Sequence, residues 1–167
     1  REIAGKLEDE IDNPLLVQGT TTKQALLDAY IADEKAVLLG TGAFWEGVDV
    51  RGNDLVCVMI DKLPFGAPDD PMLQARSALL REQGLNPFMK HQLPEAVLAL
   101  KQGAGRLIRD EEDYGVLVLC DPRLNTRSYG KKFLDGLPPM KRVSDIAAVE
   151  QFFSEFITGE TSEASIQ

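Results

Sequence analysis

At 167 residues with 44% hydrophobic content, the chain suffices for one domain with an ordinary core. Its formal net charge of −9 counts against a stand-alone nucleic-acid binder, since affinity for phosphates comes from Lys and Arg. No run approaches the roughly 20 apolar residues that cross a bilayer. The charged first residues have no signal-peptide core behind them, so a cytoplasmic protein is expected.

In chain order, residues 1–10 read as a helix whose preceding strand lies upstream of Arg1. Four short apolar runs then read as buried strands, over residues 15–18, 36–39, 55–60 and 116–120. Their continuous apolar character, without alternation, suits a parallel sheet covered on both faces. A helix over 23–32 carries Ala25, Leu26, Ala29 and Tyr30 on one side. Asp70 followed by Pro71 opens a second helix through residue 83, a capping residue with proline at the first helical position. The longest helix is expected over 94–109, and a last amphipathic segment starts at Ser144 and Asp145 with Ile146, Val149, Phe152, Phe153 and Phe156. Segments 62–71 and 84–94 are rich in Pro and Gly and read as insertions over one edge of the sheet. Alternating strands and helices give an α/β layered domain with a mainly parallel central sheet over residues 1–158, and 159–167 reads as a disordered tail.

Cys57 and Cys120 each sit in an apolar run and read as buried, reduced thiols. Two Cys and the single His91 fall short of the four soft ligands a zinc or iron–sulfur site takes, so no bound metal is expected. Charge is unevenly spread. Residues 90–142 hold 10 Lys/Arg against 7 Asp/Glu, so any anion-facing surface belongs to that segment.

The second strand runs into residues 40–49 (GTGAFWEGVD), a loop at the carboxyl end of a strand, where parallel sheets place their ligands. Glycines at 40, 42 and 47 permit close backbone approach, while Glu46 and Asp49 are carboxylates able to orient an arginine, a water or a sugar hydroxyl. A plain strand–loop connection with Trp45 plugging the core is the competing reading. The loop is neither a dinucleotide fingerprint nor a phosphate-binding P-loop, and no G-x-x-x-x-G-K-[ST] occurs anywhere in the chain. The domain cannot perform nucleotide chemistry alone.

Residues 102–109 (QGAGRLIR) are the most informative. On a continuous helix at about 100° per residue, Gln102, Glu95, Arg106 and Arg109 share one face. Ala96, Val97, Leu100, Ala104, Leu107 and Ile108 gather at the opposite pole. One face is core; the other displays arginines, whose planar fork suits phosphate oxygens.

These segments resemble the DinG/XPD family of superfamily 2 helicases: residues 40–49 are similar to its motif V and 102–109 to its motif VI. The linking residues 61–65 (DKLPF), with Pro68 and Pro71, resemble the bacterial DinG branch; Cys120–Arg123 (CDPR), Tyr129, Gly130 and residues 137–140 (LPPM) resemble its YoaA-like members. The resemblance implies the second RecA-like domain of an ATP-dependent 5′→3′ DNA helicase acting in repair or replication. By that likeness Arg106, Arg109 and Gln102 serve ATP, Gly47, Asp49 and Glu46 lie near the nucleotide, and Thr41, Phe44 and Trp45 face single-stranded DNA. ATP and Mg²⁺ would be held with a first RecA-like domain in cis, which would also carry any iron–sulfur cluster. Replication or repair proteins are possible partners, and a docking module built on 146–156 is the alternative. A small-molecule enzyme finds no nucleophile–base pair here.

Overall fold

The computed structural model describes residues 2–44, 50, 55–108 and 113–158. Strands form inside all four continuous apolar runs: β1 (Leu15–Val17), β2 (Val37–Leu39), β3 (Cys57–Ile60) and β4 (Val116–Leu119). β1 pairs with β2 and β3 with β4, both in parallel, with Leu15 opposite Val37 and Cys57 opposite Val116. Parallel pairing with interleaved helices makes this the expected RecA-like α/β class. Among the described residues the strands form these two pairs rather than one continuous sheet.

Helices fill the connections: α1 (Glu2–Glu8), α2 (Lys23–Ala32), α3 (Pro71–Glu82), α4 (Leu93–Ala104), α5 (Arg123–Thr126), α6 (Gly130–Gly136) and α7 (Ile146–Thr158). Side chains set three of their starts by satisfying amides that a helix leaves orphaned. Thr22 Oγ1 accepts the Ala25 N–H at 3.2 Å, and Asp70 Oδ1 accepts that of Met72 at 2.8 Å, with Pro71 following. Asp145 Oδ1 accepts the Ala148 N–H at 2.8 Å. None of the helices among the described residues is long and apolar enough to cross a membrane.

The larger core cluster lies against one face of the β3–β4 pair, where Ile60, Leu63, Leu93, Ala96, Leu100, Leu124 and Phe133 are all buried. A smaller one gathers Leu26, Leu27, Phe44 and Val50 beside β1 and β2. Alternation along β3 sends Ile60 inward at 5% exposure and Met59 outward at 67%. That alternation corrects the expectation for the cysteines: Cys57 shares the outward face with Met59, and Cys120 follows the end of β4, so both thiols are free but exposed. On α2 the buried residues are Leu26 and Leu27, while Ala25 and Ala29 are exposed. Residues 84–94 are more regular than expected, because a π-helical turn, Phe88–Gln92, leads directly into α4. The expected tail, 159–167, lies outside the described residues.

The hairpin of α5 and α6 went unpredicted. Both helices are short, and neither Pro122 nor Tyr129 caps its helix through a side chain. Gly130 makes the hairpin possible: a Cβ there would run into the Leu124 carbonyl group. Leu124 and Phe133 pin the two helices to the core at 7% and 0% exposure. Leu100→Ala, at a position with 0% exposure, is therefore expected to lower stability by about 2–5 kcal/mol through the cavity left behind. Leu79→Ala on the exposed face of α3 should cost about 0.5 kcal/mol or less. Urea denaturation of both variants checks the contrast.

Candidate functional site

The loop after β2 begins with a tight reversal. A Cβ on Gly40 would lie 2.9 Å from the Phe44 Cβ, so glycine lets the Gly42–Phe44 turn of 3₁₀ helix fold back over the strand end. Gln18, just past β1, secures the turn: its Oε1 accepts the Thr41 N–H at 2.7 Å and the Thr41 hydroxyl at 3.1 Å. Thr41 is thereby held, exposed, at the end of the β1–β2 pair. Phe44 is 6% exposed and packs with the smaller core, the Lys23 ammonium lying 5.2 Å from its ring centre. Trp45, Glu46, Gly47 and Asp49 lie outside the described residues.

The helix expected to carry both arginines ends sooner than its apolar spacing indicates. α4 stops at Ala104, and Gly105 caps it with φ −68° and ψ −3°. Arg106 N–H then bonds the Gly103 carbonyl at 3.2 Å and Leu107 N–H that of Ala104 at 3.0 Å, a tightened turn in place of a helical one. The wheel that put Ile108 at the apolar pole fails there, since Ile108 is 38% exposed. Leu107 is buried at 3% for a different reason. It seats against Gly115, where an added Cβ would lie 2.5 Å from Leu107 Cδ1 and 2.8 Å from the Val56 carbonyl oxygen. The turn thus anchors Leu107 and leaves its neighbour Arg106 half-buried, with no ion pair among the described residues. Gln102 is exposed one turn earlier, and Arg109 lies outside the described residues. The fold joins Thr41 to Gln18, while Gln102 and Arg106 are near one another along the chain, and no described contact links them to Thr41.

A third arrangement was not anticipated. Asp121, 5% exposed, accepts the Leu63 N–H at 2.8 Å and grips Arg123, whose Nε lies 2.9 Å from Oδ1 and whose Nη2 lies 2.6 Å from Oδ2. The hydrogen-bonded Arg123 guanidinium holds the Asp121 carboxyl well below the usual carboxylate range. The same guanidinium stands 5.3 Å from the Phe65 ring centre, and Phe65 meets Phe88, Tyr129 and Phe133. The D-x-R spacing was visible in the sequence, but nothing there says that the acid is buried. Among the described residues no group of three His, Cys, Asp or Glu side chains is placed to hold a metal ion.

Parallel strand pairs, a glycine-permitted reversal after β2 and an arginine turn ahead of β4 lie within the stretch that matches the carboxyl-terminal domain of a helicase. The family model for the helicase C-terminal domain matches residues 1–140, and the chain belongs to that family. It is 51% identical over 154 residues to the ATP-dependent DNA helicase YoaA of Escherichia coli (strain K12), covering 92% of this chain and 24% of that protein. It is 47% identical over 126 residues to the 3'-5' exonuclease DinG of Bacillus subtilis (strain 168), covering 74% and 14%. With the ATP-dependent helicase DinG of Mycobacterium tuberculosis (strain ATCC 25618 / H37Rv) it shares 38% over 143 residues, covering 86% and 22%. The chain thus spans about a quarter or less of these relatives.

Removing the Asp121 charge should weaken the join between the 61–68 loop and β4. Asp121→Ala strands the buried Leu63 amide and is expected to cost about 1–3 kcal/mol at neutral pH. Because the folded carboxyl titrates below its unfolded value of about 3.9, its contribution is full above that pH and fades as pH falls further. The stability gap between the native chain and Asp121→Ala should therefore narrow below about pH 4, as read by urea denaturation at a series of pH values.

Proposed function

We propose that the chain is the second motor domain of an ATP-dependent 5′→3′ DNA helicase, supplying arginines to ATP bound against a first RecA-like domain elsewhere in the full-length protein. The observation that carries this reading is Arg106. Its backbone is fixed by the buried Leu107 beside it, yet its guanidinium makes no ion pair among the described residues. An arginine held in place but left uncommitted fits phosphate oxygens that arrive from outside the domain. The exposed Gln102 amide, one turn away, adds a neutral donor suited to positioning. Membership of the helicase C-terminal family and kinship with proteins named ATP-dependent DNA helicases support the assignment.

ATP bound there supplies the phosphoryl group whose transfer to water drives movement. This chain's part is electrostatic: Arg106 and Arg109 meet charge on the terminal phosphate, and Gln102 holds them in register. In this reading Thr41, steadied by Gln18, meets a single-stranded DNA backbone, while buried Phe44 supports the turn beneath it. Gly47, Asp49, Glu46 and Trp45 complete the same loop in this reading. Mg²⁺ ligands, the phosphate-cradling loop and any iron–sulfur cluster belong to the first domain, and the full-length protein works in the cytoplasm.

The docking alternative rests on α7. Its Phe152 meets Tyr114 at 6.4 Å between ring centres, which favours packing on this domain, while Ile146, 75% exposed at the start of the helix, is an apolar residue open to replication or repair proteins.

Arg106→Ala in the full-length protein is expected to lower ATP turnover by on the order of a thousandfold. The same change breaks no ion pair among the described residues and should alter domain stability by only about 0.5 kcal/mol. Unchanged turnover in a steady-state phosphate-release assay would sink the arginine assignment. The isolated 167-residue chain, which carries no P-loop, should show no turnover in that assay.

A further inference from the structure

The chain is strongly acidic as a whole, yet residues 120–142 carry six Lys/Arg against two Asp/Glu, which leaves the remainder at −13. The imbalance is sharper in three dimensions. Of the two acids, Asp121 is spent on Arg123 and buried. Within residues 120–142 that leaves Asp135 as the one other carboxylate, against Arg127, Lys131, Lys132, Lys141 and Arg142. Arg127 follows α5 directly, and Lys131 and Lys132 stand in the first turn of α6; all three are exposed and make no ion pair among the described residues. Arg142 is drawn back onto the same hairpin, its Nη2 donating to the Leu134 carbonyl at 2.9 Å.

The cations do not ride on a loose loop. Phe133, 0% exposed, faces inward beneath Lys131 and Lys132, and Gly130 presses its backbone against Leu124. The Asp121–Arg123 pair fixes the start of α5. An acidic protein that concentrates unpaired cations on a rigid corner presents a local positive field to a polyanion, and its overall charge repels that polyanion elsewhere. Exposed Ser128 and Thr126 add small hydroxyl groups on the same corner.

We infer that the α5–α6 corner, through Arg127, Lys131 and Lys132, is a backbone-tracking contact for single-stranded nucleic acid, distinct from the 40–49 loop. The inference rests on the helicase reading for the identity of the polyanion. The geometry supplies phosphate contacts and no means of reading bases, so the contact is blind to sequence.

The test is the salt dependence of binding of fluorescein-labelled oligothymidylate to the full-length protein, without nucleotide. Each single-strand phosphate contact contributes about 0.7 to the slope of log affinity against log salt, so Arg127→Gln/Lys131→Gln/Lys132→Gln should flatten that slope by about two. The same triple change should weaken binding at low salt by on the order of tenfold. Arg127→Lys, which keeps the charge, should leave the slope unchanged, and the melting temperature of each variant reports folding. An unchanged slope in a folded triple variant overturns the inference. So does loss of binding to phosphatidylserine vesicles with oligothymidylate binding intact. ATP turnover with and without oligothymidylate is followed in parallel: absence of DNA-stimulated turnover in the parent protein counts against the helicase reading, while the slope alone judges the corner.

Discussion

The carboxyl-terminal half is organised by one buried carboxylate. Asp121 emerges from β4 into a place where water cannot solvate it, and its charge is sustained by an arginine two residues on and by a backbone amide 58 residues back. By accepting the Leu63 N–H it ties the loop that leaves β3 to the one that leaves β4. By gripping Arg123 it sets the first turn of α5, lays a guanidinium on Phe65 and so organises the cluster of Phe65, Phe88, Tyr129 and Phe133. Strand pairing, loop path and hairpin placement all meet at this residue, and the depressed carboxyl titration is the electrostatic signature of that role.

Much of this was legible in the sequence, for reasons specific to each element. The four strands announced themselves because short continuous apolar runs between helical segments read as strands of a parallel sheet. α2 and α3 were placed within a residue or two, since Asp70 with Pro71 is a strong local start signal. α4 misled because Leu107 continues its apolar spacing, although Leu107 is buried by its fit against Gly115 and not by the helix. Periodicity records burial, and a turn buries a side chain as well as a helix does. Cys57 misled in the opposite sense: a strand that looks apolar throughout still alternates, and here one face remains open. The α5–α6 hairpin was illegible because its determinants are a close backbone approach at Gly130 and a long-range ion-paired acid, neither of which has a periodic trace.

The candidate site divides along the same line. Residue types and motif order pointed to Gln102, Arg106 and Thr41, which the fold leaves half-buried or exposed rather than in the core. Phe44, grouped with Thr41 by adjacency, belongs instead to the packing beneath it. Neighbours in a motif thus separate into one that faces outward and one that supports, a distinction set by the tight turn after Gly40. The charge distribution follows a comparable division: acids spread over most of the chain, while residues 120–142 carry six Lys/Arg against two Asp/Glu, with Arg127, Lys131 and Lys132 exposed around the buried Phe133.

The seat of Leu107 against Gly115 has a mechanical meaning. The hydrogen at position 115 leaves a notch one methyl group deep, floored by the Val56 carbonyl, and the leucine drops into it like a detent. Because Arg106 is the adjacent residue on a short turn, the seating of Leu107 fixes the backbone from which its side chain extends. The footing of a charged group is thereby set by a residue with no side chain, at the threshold of β4. A fastening of this kind lies outside the side chain it steadies: a change at position 115 acts on the arginine through the leucine between them.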